Sequence, residues 1–151
     1  MKLAQALTER ADLNRQIHEL RERIVRNAKH QEGEEPAENP SELLREYDGV
    51  AEALERLIVR INFTNNQIIL EGGLPMVEAL ARRDVLKLRH ALYKALAEAA
   101  TPQQDRYSKS EIRFVSAVSV RETQTQADAL AKEHRELDAL IQQANWTTEL
   151  V

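Results

Sequence analysis

Four stretches of this chain place apolar residues at alternating three- and four-residue intervals, and that spacing restricts the fold more than any other feature. In the first stretch, Leu3, Ala6, Arg10, Leu13, Ile17, Leu20, Ile24 and Asn27 form a coiled-coil-like seam with two polar members. The second carries Leu43, Tyr47, Val50, Leu54, Leu57 and Ile61. The third has a stripe of Ala81, Val85, Leu88, Leu92, Ala95 and Ala99, widened by Leu80 and Leu96. The fourth runs Val120, Thr123, Ala127, Leu130, His134, Leu137, Ile141 and Ala144. An all-α fold of about four long, antiparallel, coiled-coil-like helices follows, over about residues 2–29, 40–64, 75–100 and 120–144, in one domain spanning residues 1–151.

Punctuation in the sequence supports these bounds. The run Gln31-Glu32-Gly33-Glu34-Glu35-Pro36 breaks the first helix. Asn39-Pro40 with Glu42 reads as a cap, a first-turn proline and a capping-box acid, and Ser119 with Glu122 repeats the capping pattern. Gly72-Gly73 predicts a tight turn before Pro75, and Pro102 ends the third helix. Around 103–118 the chain turns polar and then alternates Ile112, Phe114, Ser116, Val118, so a short irregular or extended segment is expected. Only 4% of residues are aromatic, which suits helix-on-helix packing better than a sandwich or barrel.

Charge alternates along the chain. Residues 1–29 hold seven basic and four acidic side chains, 30–71 three and ten, 82–113 eight and four, and 114–151 three and six. Complementary pairing of neighbouring helices is the expected use, with the first two antiparallel.

The sequence carries no convincing catalytic constellation, and a non-enzymatic role is expected. With no cysteine there is no thiol nucleophile or thiolate zinc site. A di-iron bundle needs Glu-x-x-His pairs. The residues three before His18, His30, His90 and His134 are Arg15, Asn27, Lys87 and Ala131, so that motif fails four times. His134 reads as a seam residue, and His18 and His90 as surface residues. No phosphate-binding glycine loop or Gly-x-Ser-x-Gly elbow occurs. No cofactor is expected. The first ten residues lack the apolar core of a secretory signal, and no apolar run approaches the roughly 20 residues of a membrane span. A cytoplasmic protein without membrane or nucleic-acid partners is the expectation. The basic cluster Arg82, Arg83, Lys87, Arg89, Arg106, Lys109 and Arg113 is interspersed with acids.

Several stretches together resemble a known family: Arg21-Glu22-Arg23 with Asn27-Ala28-Lys29 and Gln31-Glu32-Gly33-Glu34-Glu35-Pro36; Arg60-Ile61-Asn62 with Thr64-Asn65; Ala79-Leu80-Ala81-Arg82-Arg83-Asp84; Asp105-Arg106-Tyr107-Ser108; and Ala144-Asn145-Trp146-Thr147-Thr148-Glu149-Leu150. They resemble uncharacterised bacterial proteins of about this length, some labelled septicolysin. The resemblance implies a helical homo-oligomer and supplies no reaction. The label itself would imply a pore-forming, membrane-active protein. The matched polar residues Arg82, Arg83, Asp84, Asp105, Arg106 and Tyr107 are the candidate polar site or interface. The leading expectation is a self-assembling helical protein; the alternatives are a septicolysin-like pore former and a ligand- or nucleic-acid-binding module.

Overall fold

The structure, a computed structural model, describes residues 1–102 and 112–151. Four helices account for most of them: α1 (Leu3–Arg26), α2 (Pro40–Gln67), α3 (Met76–Ala100) and α4 (Val120–Thr147). No strand occurs among the described residues, and the fold is all-α. Residues 112–118 lie outside any helix or strand, so the extended option raised by their alternation is not taken up there.

The chain divides into two compact units, Met1–Ile68 with Gln142–Val151, and Ile69–Ile141. In the first, α1 and α2 form an antiparallel hairpin. Leu3 and Ala6 near the start of α1 meet Leu57 and Ile61 in the second half of α2, and Leu150 completes this buried cluster. Burying a side chain the size of Leu or Ile contributes roughly 1.5–3 kcal/mol, so these few contacts carry much of the hairpin.

The other end of the hairpin is polar. Asn27 is buried, its amide donates to the Arg23 carbonyl at 2.9 Å, and its oxygen accepts from the Glu38 backbone N–H at 3.0 Å. The Asn27 backbone N–H also donates to the Arg23 carbonyl, at 3.1 Å, and α1 ends at Arg26 rather than Lys29, where the Asn27 side-chain oxygen takes the Glu38 N–H. The Arg23 guanidinium meets the Glu38 carboxylate through Nε at 3.2 and 3.1 Å. That ion pair raises the Arg23 pKa and holds the Glu38 carboxyl below the usual carboxylate range, in both cases mainly through the side-chain hydrogen bond. Among the described residues, Arg23–Glu38 is the ion pair that joins the basic first segment to the acidic second, so their complementarity rests on one contact rather than a ladder.

The α2 helix starts as expected, with Asn39 accepting from the Ser41 N–H at 2.9 Å. It continues past Thr64 to Gln67, although Asn62, Thr64, Asn65 and Asn66 are weak helix formers. Thr64 is 1% exposed. Its hydroxyl donates to the Arg60 carbonyl at 2.9 Å and accepts from the Val151 N–H at 3.1 Å. Tertiary fixation outweighs local propensity here. The same tail returns to the first residues: Leu3 N–H donates to the Thr148 carbonyl at 2.9 Å, Leu150 N–H donates to the Met1 carbonyl at 2.8 Å, and Lys2 pairs with Glu149 at 2.7 Å.

In the second unit, Gly72 and Gly73 adopt φ of 89° and 86°, a left-handed conformation open to glycine at little cost. The turn closes with Leu70 N–H donating to the Leu74 carbonyl at 2.8 Å. Arg83 on α3 reaches Asp138 on α4 at 3.3 Å. The α4 positions that face inward are the expected ones: Thr123, Ala127, Leu130, Leu137 and Ile141 are buried and His134 is half-buried.

For α3 the structure corrects the sequence reading. The expected stripe of Ala81, Val85, Leu88, Leu92, Ala95 and Ala99 is exposed throughout, with Leu88 at 71% and Leu92 at 65%. The face turned inward is Met76, Ala79, Arg83, Leu86, His90, Tyr93, Ala97 and Ala100, all buried or half-buried. It has the same three-four spacing and lies on the opposite side of the helix. Polar members masked it: Arg83, His90 and Tyr93 carry long or amphipathic side chains, which cover apolar surface with their bodies while the polar tip points away.

Candidate functional site

The inward face of α3 and the facing part of α4 enclose a groove of about 380 Å³, lined by Arg83, Asp84, Lys87, His90, Ala131, His134, Arg135 and Asp138. Seven of these eight residues are ionisable, in a seam otherwise filled by Leu86, Leu130 and Leu137. Arg83 and His90 are one heptad apart on α3, which stacks them along one face. His134 occupies a seam position of α4, and Arg135 and Asp138 flank it.

Arg83 is the anchor. Its side chain is 27% exposed, and its two terminal nitrogens lie 3.3 Å from Asp138 and 3.5 Å from Asp84. Both contacts are longer than the roughly 2.7–2.9 Å of tight charge-assisted bonds, so the guanidinium is held in place with donor capacity to spare. Lys87 and Arg135 are exposed at the groove and add two more cations. Among the described residues, no three His, Asp or Glu side chains gather as a metal-binding group.

The structure therefore joins Arg83 and Asp84 of the expected polar site to the groove. Arg82 is exposed and does not line it. Asp105, Arg106 and Tyr107 lie outside the described residues. His90, His134, Arg135 and Asp138 complete the site. The sequence placed His134 on its seam, where it reads as structural, and His90 beside charged neighbours, where it reads as a surface residue. A search for three-four spacing that admitted Arg, His and Tyr would have found both. A larger groove of about 610 Å³ lies between the last turn of α3 and residues 114–118, lined mainly by Leu96, Ala99, Phe114, Val115 and Val118. Its walls are mainly apolar, with Glu98, Thr101 and Ser116 as the polar members.

Residues 10–150 match the model of a family of unknown function, DUF6847. The chain belongs to this family. It is also similar to a functionally unknown conserved protein from Corynebacterium diphtheriae, known from a crystal structure: 43% identity, TM-score 0.92, covering 100% of this chain and 99% of that one. No curated protein matches the chain. Family membership thus agrees with the uncharacterised bacterial resemblance, at the level of a shared fold and without a reaction.

Proposed function

We propose that this chain is a non-enzymatic helical protein that works by self-association, with the outer face of α3 as the surface on which a second copy docks. The observation that carries the reading is the exposed stripe Val77, Ala81, Val85, Leu88, Leu92, Ala95 and Ala99, continuous over six turns of α3. Side chains of that size at those exposures present on the order of 500 Å² of apolar surface, at the upper end of what a monomer displays. Two such contacts in a symmetric pair bury on the order of 1,000 Å², the scale of a specific interface.

Charge selects the occupant. Outside the groove, residues 82–94 hold three basic side chains, Arg82, Arg89 and Lys94, and no acidic one, so two α3 faces set against each other would align like charges. Residues 42–55 of α2 hold five acidic and one basic, and α2 also exposes Leu44, Val59 and Phe63. An α3 face of one copy on the α2 face of a second copy matches both apolarity and sign.

Light scattering across micromolar concentrations is the test. The expected result is a dimer or larger species that falls apart as sodium chloride is raised, and that Leu88→Glu with Leu92→Glu abolishes while helix content stays unchanged. A 17.3 kDa monomer at every concentration overturns the proposal. The septicolysin-like alternative would set the same basic, apolar face on lipid. Among the described residues, no helix is long and apolar enough to cross a membrane. Dye release from anionic liposomes that Leu88→Glu removes would replace self-association with membrane action.

A further inference from the structure

The groove between α3 and α4 has no part in that surface, and its chemistry points elsewhere. Its three permanent cations come from two helices, with one imidazole from each helix beside them. Arg83, His90 and His134 bring ionisable groups into a helical seam where leucine or alanine would pack without them, and such groups lose hydration on burial. Asp84 and Asp138 offset part of the charge, and among the described residues their ion pairs are with Arg83, over long contacts. With both imidazoles neutral, three cations face two carboxylates; with both protonated, five do. A metal would need the opposite balance, with carboxylates and neutral imidazoles gathered on one point.

We propose that this groove is a binding site for a phosphate group carried on a small molecule, with Arg83, Lys87 and Arg135 as its charge partners and His90 and His134 as additional donors. A phosphate dianion has three equivalent acceptor oxygens, which suits donors arriving from two sides. Guanidinium groups match it two bonds at a time, and a lysine adds a point charge. The groove volume of about 380 Å³ exceeds what phosphate alone fills, leaving room for a compact organic body. Asp84 and Asp138 stand where they can accept hydrogen bonds from hydroxyls on that body. Arg83 then exchanges its long carboxylate contacts for shorter bonds to the ligand, so the site is preformed but not closed.

The test is nuclear magnetic resonance of the four histidine rings in the full chain, titrated with inorganic phosphate against sodium chloride of equal ionic strength. The expected result is saturable movement of the His90 and His134 signals in the millimolar range, with His18 and His30 unmoved. Lys87→Gln with Arg135→Gln changes two exposed side chains, so it preserves the fold, and it should weaken binding at least tenfold. A parallel arm uses phosphatidylcholine vesicles with and without phosphatidic acid. Co-sedimentation that requires both phosphatidic acid and Lys87 with Arg135 assigns the phosphate to a lipid headgroup; its absence beside saturable phosphate binding assigns it to a soluble molecule. No saturable shift up to tens of millimolar, equal movement of all four histidines, or binding unchanged in the double variant would overturn the proposal.

Discussion

Helices α2 and α3 have similar lengths, 28 and 25 residues, and each carries an apolar stripe at three-four spacing, yet they use it in opposite ways. In α2 the stripe that the spacing marks is the one the fold covers: Leu43, Leu57 and Ile61 are buried and Tyr47, Val50 and Leu54 half-buried. In α3 the more apolar stripe faces out, and a face containing Arg83, His90 and Tyr93 faces in. The comparison shows that periodicity locates candidate faces, whereas the partner's shape and polar groups select among them. Ala79, Ala97 and Ala100 on α3 are small enough to permit close approach of helix backbones, and Asp138 supplies a counter-charge for Arg83. An apolar face without such a match is left for another molecule.

That contrast is broken most directly by truncation. Ile61→Ala removes a side chain that is 1% exposed and should cost about 2–5 kcal/mol of folding free energy by urea denaturation. Leu88→Ala on α3 should shift the unfolding of the dissociated chain by no more than about 0.5 kcal/mol, while weakening self-association. Equal costs at the two positions would mean that α3 buries its outer stripe within the chain.

A smaller effect is expected at the polar end of the hairpin. Asn27→Ala strips the Glu38 N–H of its partner and the Arg23 carbonyl of one of its two donors, and should cost about 1–3 kcal/mol. An unchanged midpoint would indicate that water replaces the side chain without loss. Arg83→Met keeps the length of the side chain and removes its charge. The expected stability change is about 1 kcal/mol or less, because Asp84 and Asp138 are accessible enough to rehydrate. If the loss were several kcal/mol, the ion pair would be a structural clamp rather than an open ligand site.

The smallest effect is a pH dependence in the first unit. Glu38 and Glu149 have lowered pKa values, chiefly through side-chain hydrogen bonds to Arg23 and Lys2 respectively. Depressed carboxyl groups stabilise the fold above their unfolded pKa, and that contribution disappears as pH falls through their folded values. Stability should therefore decline below the ordinary glutamate range, and Glu38→Gln with Glu149→Gln should flatten that decline. An acid limb identical in the double variant would locate the titration in other groups.

Much of this architecture was legible in the chain. The Asn39-Pro40 and Ser119 start signals, the Gly72-Gly73 turn and the seams of α1, α2 and α4 are local features, set by spacing and capping within a few residues. The helix ends were less legible because side chains from distant parts of the chain decide them. Asn27 takes the Glu38 N–H where α1 ends, and Thr64 keeps α2 helical through a bond to Val151. The groove was half visible: Arg83 and Asp84 stood out as polar residues, while their partners on α4 lie some 50 residues away.

By itself the sequence determined the fold class, the number of helices, the antiparallel α1–α2 hairpin and the absence of thiol chemistry, because each follows from residue type and short-range spacing. Only the tertiary structure decided which face of α3 is inside. Two stripes of the same period compete on that helix, and periodicity is blind to the difference. On the covered side Arg83 finds Asp138 of α4 at 3.3 Å. That one choice leaves Leu88 and Leu92 in solvent and brings His90 to the same groove as His134.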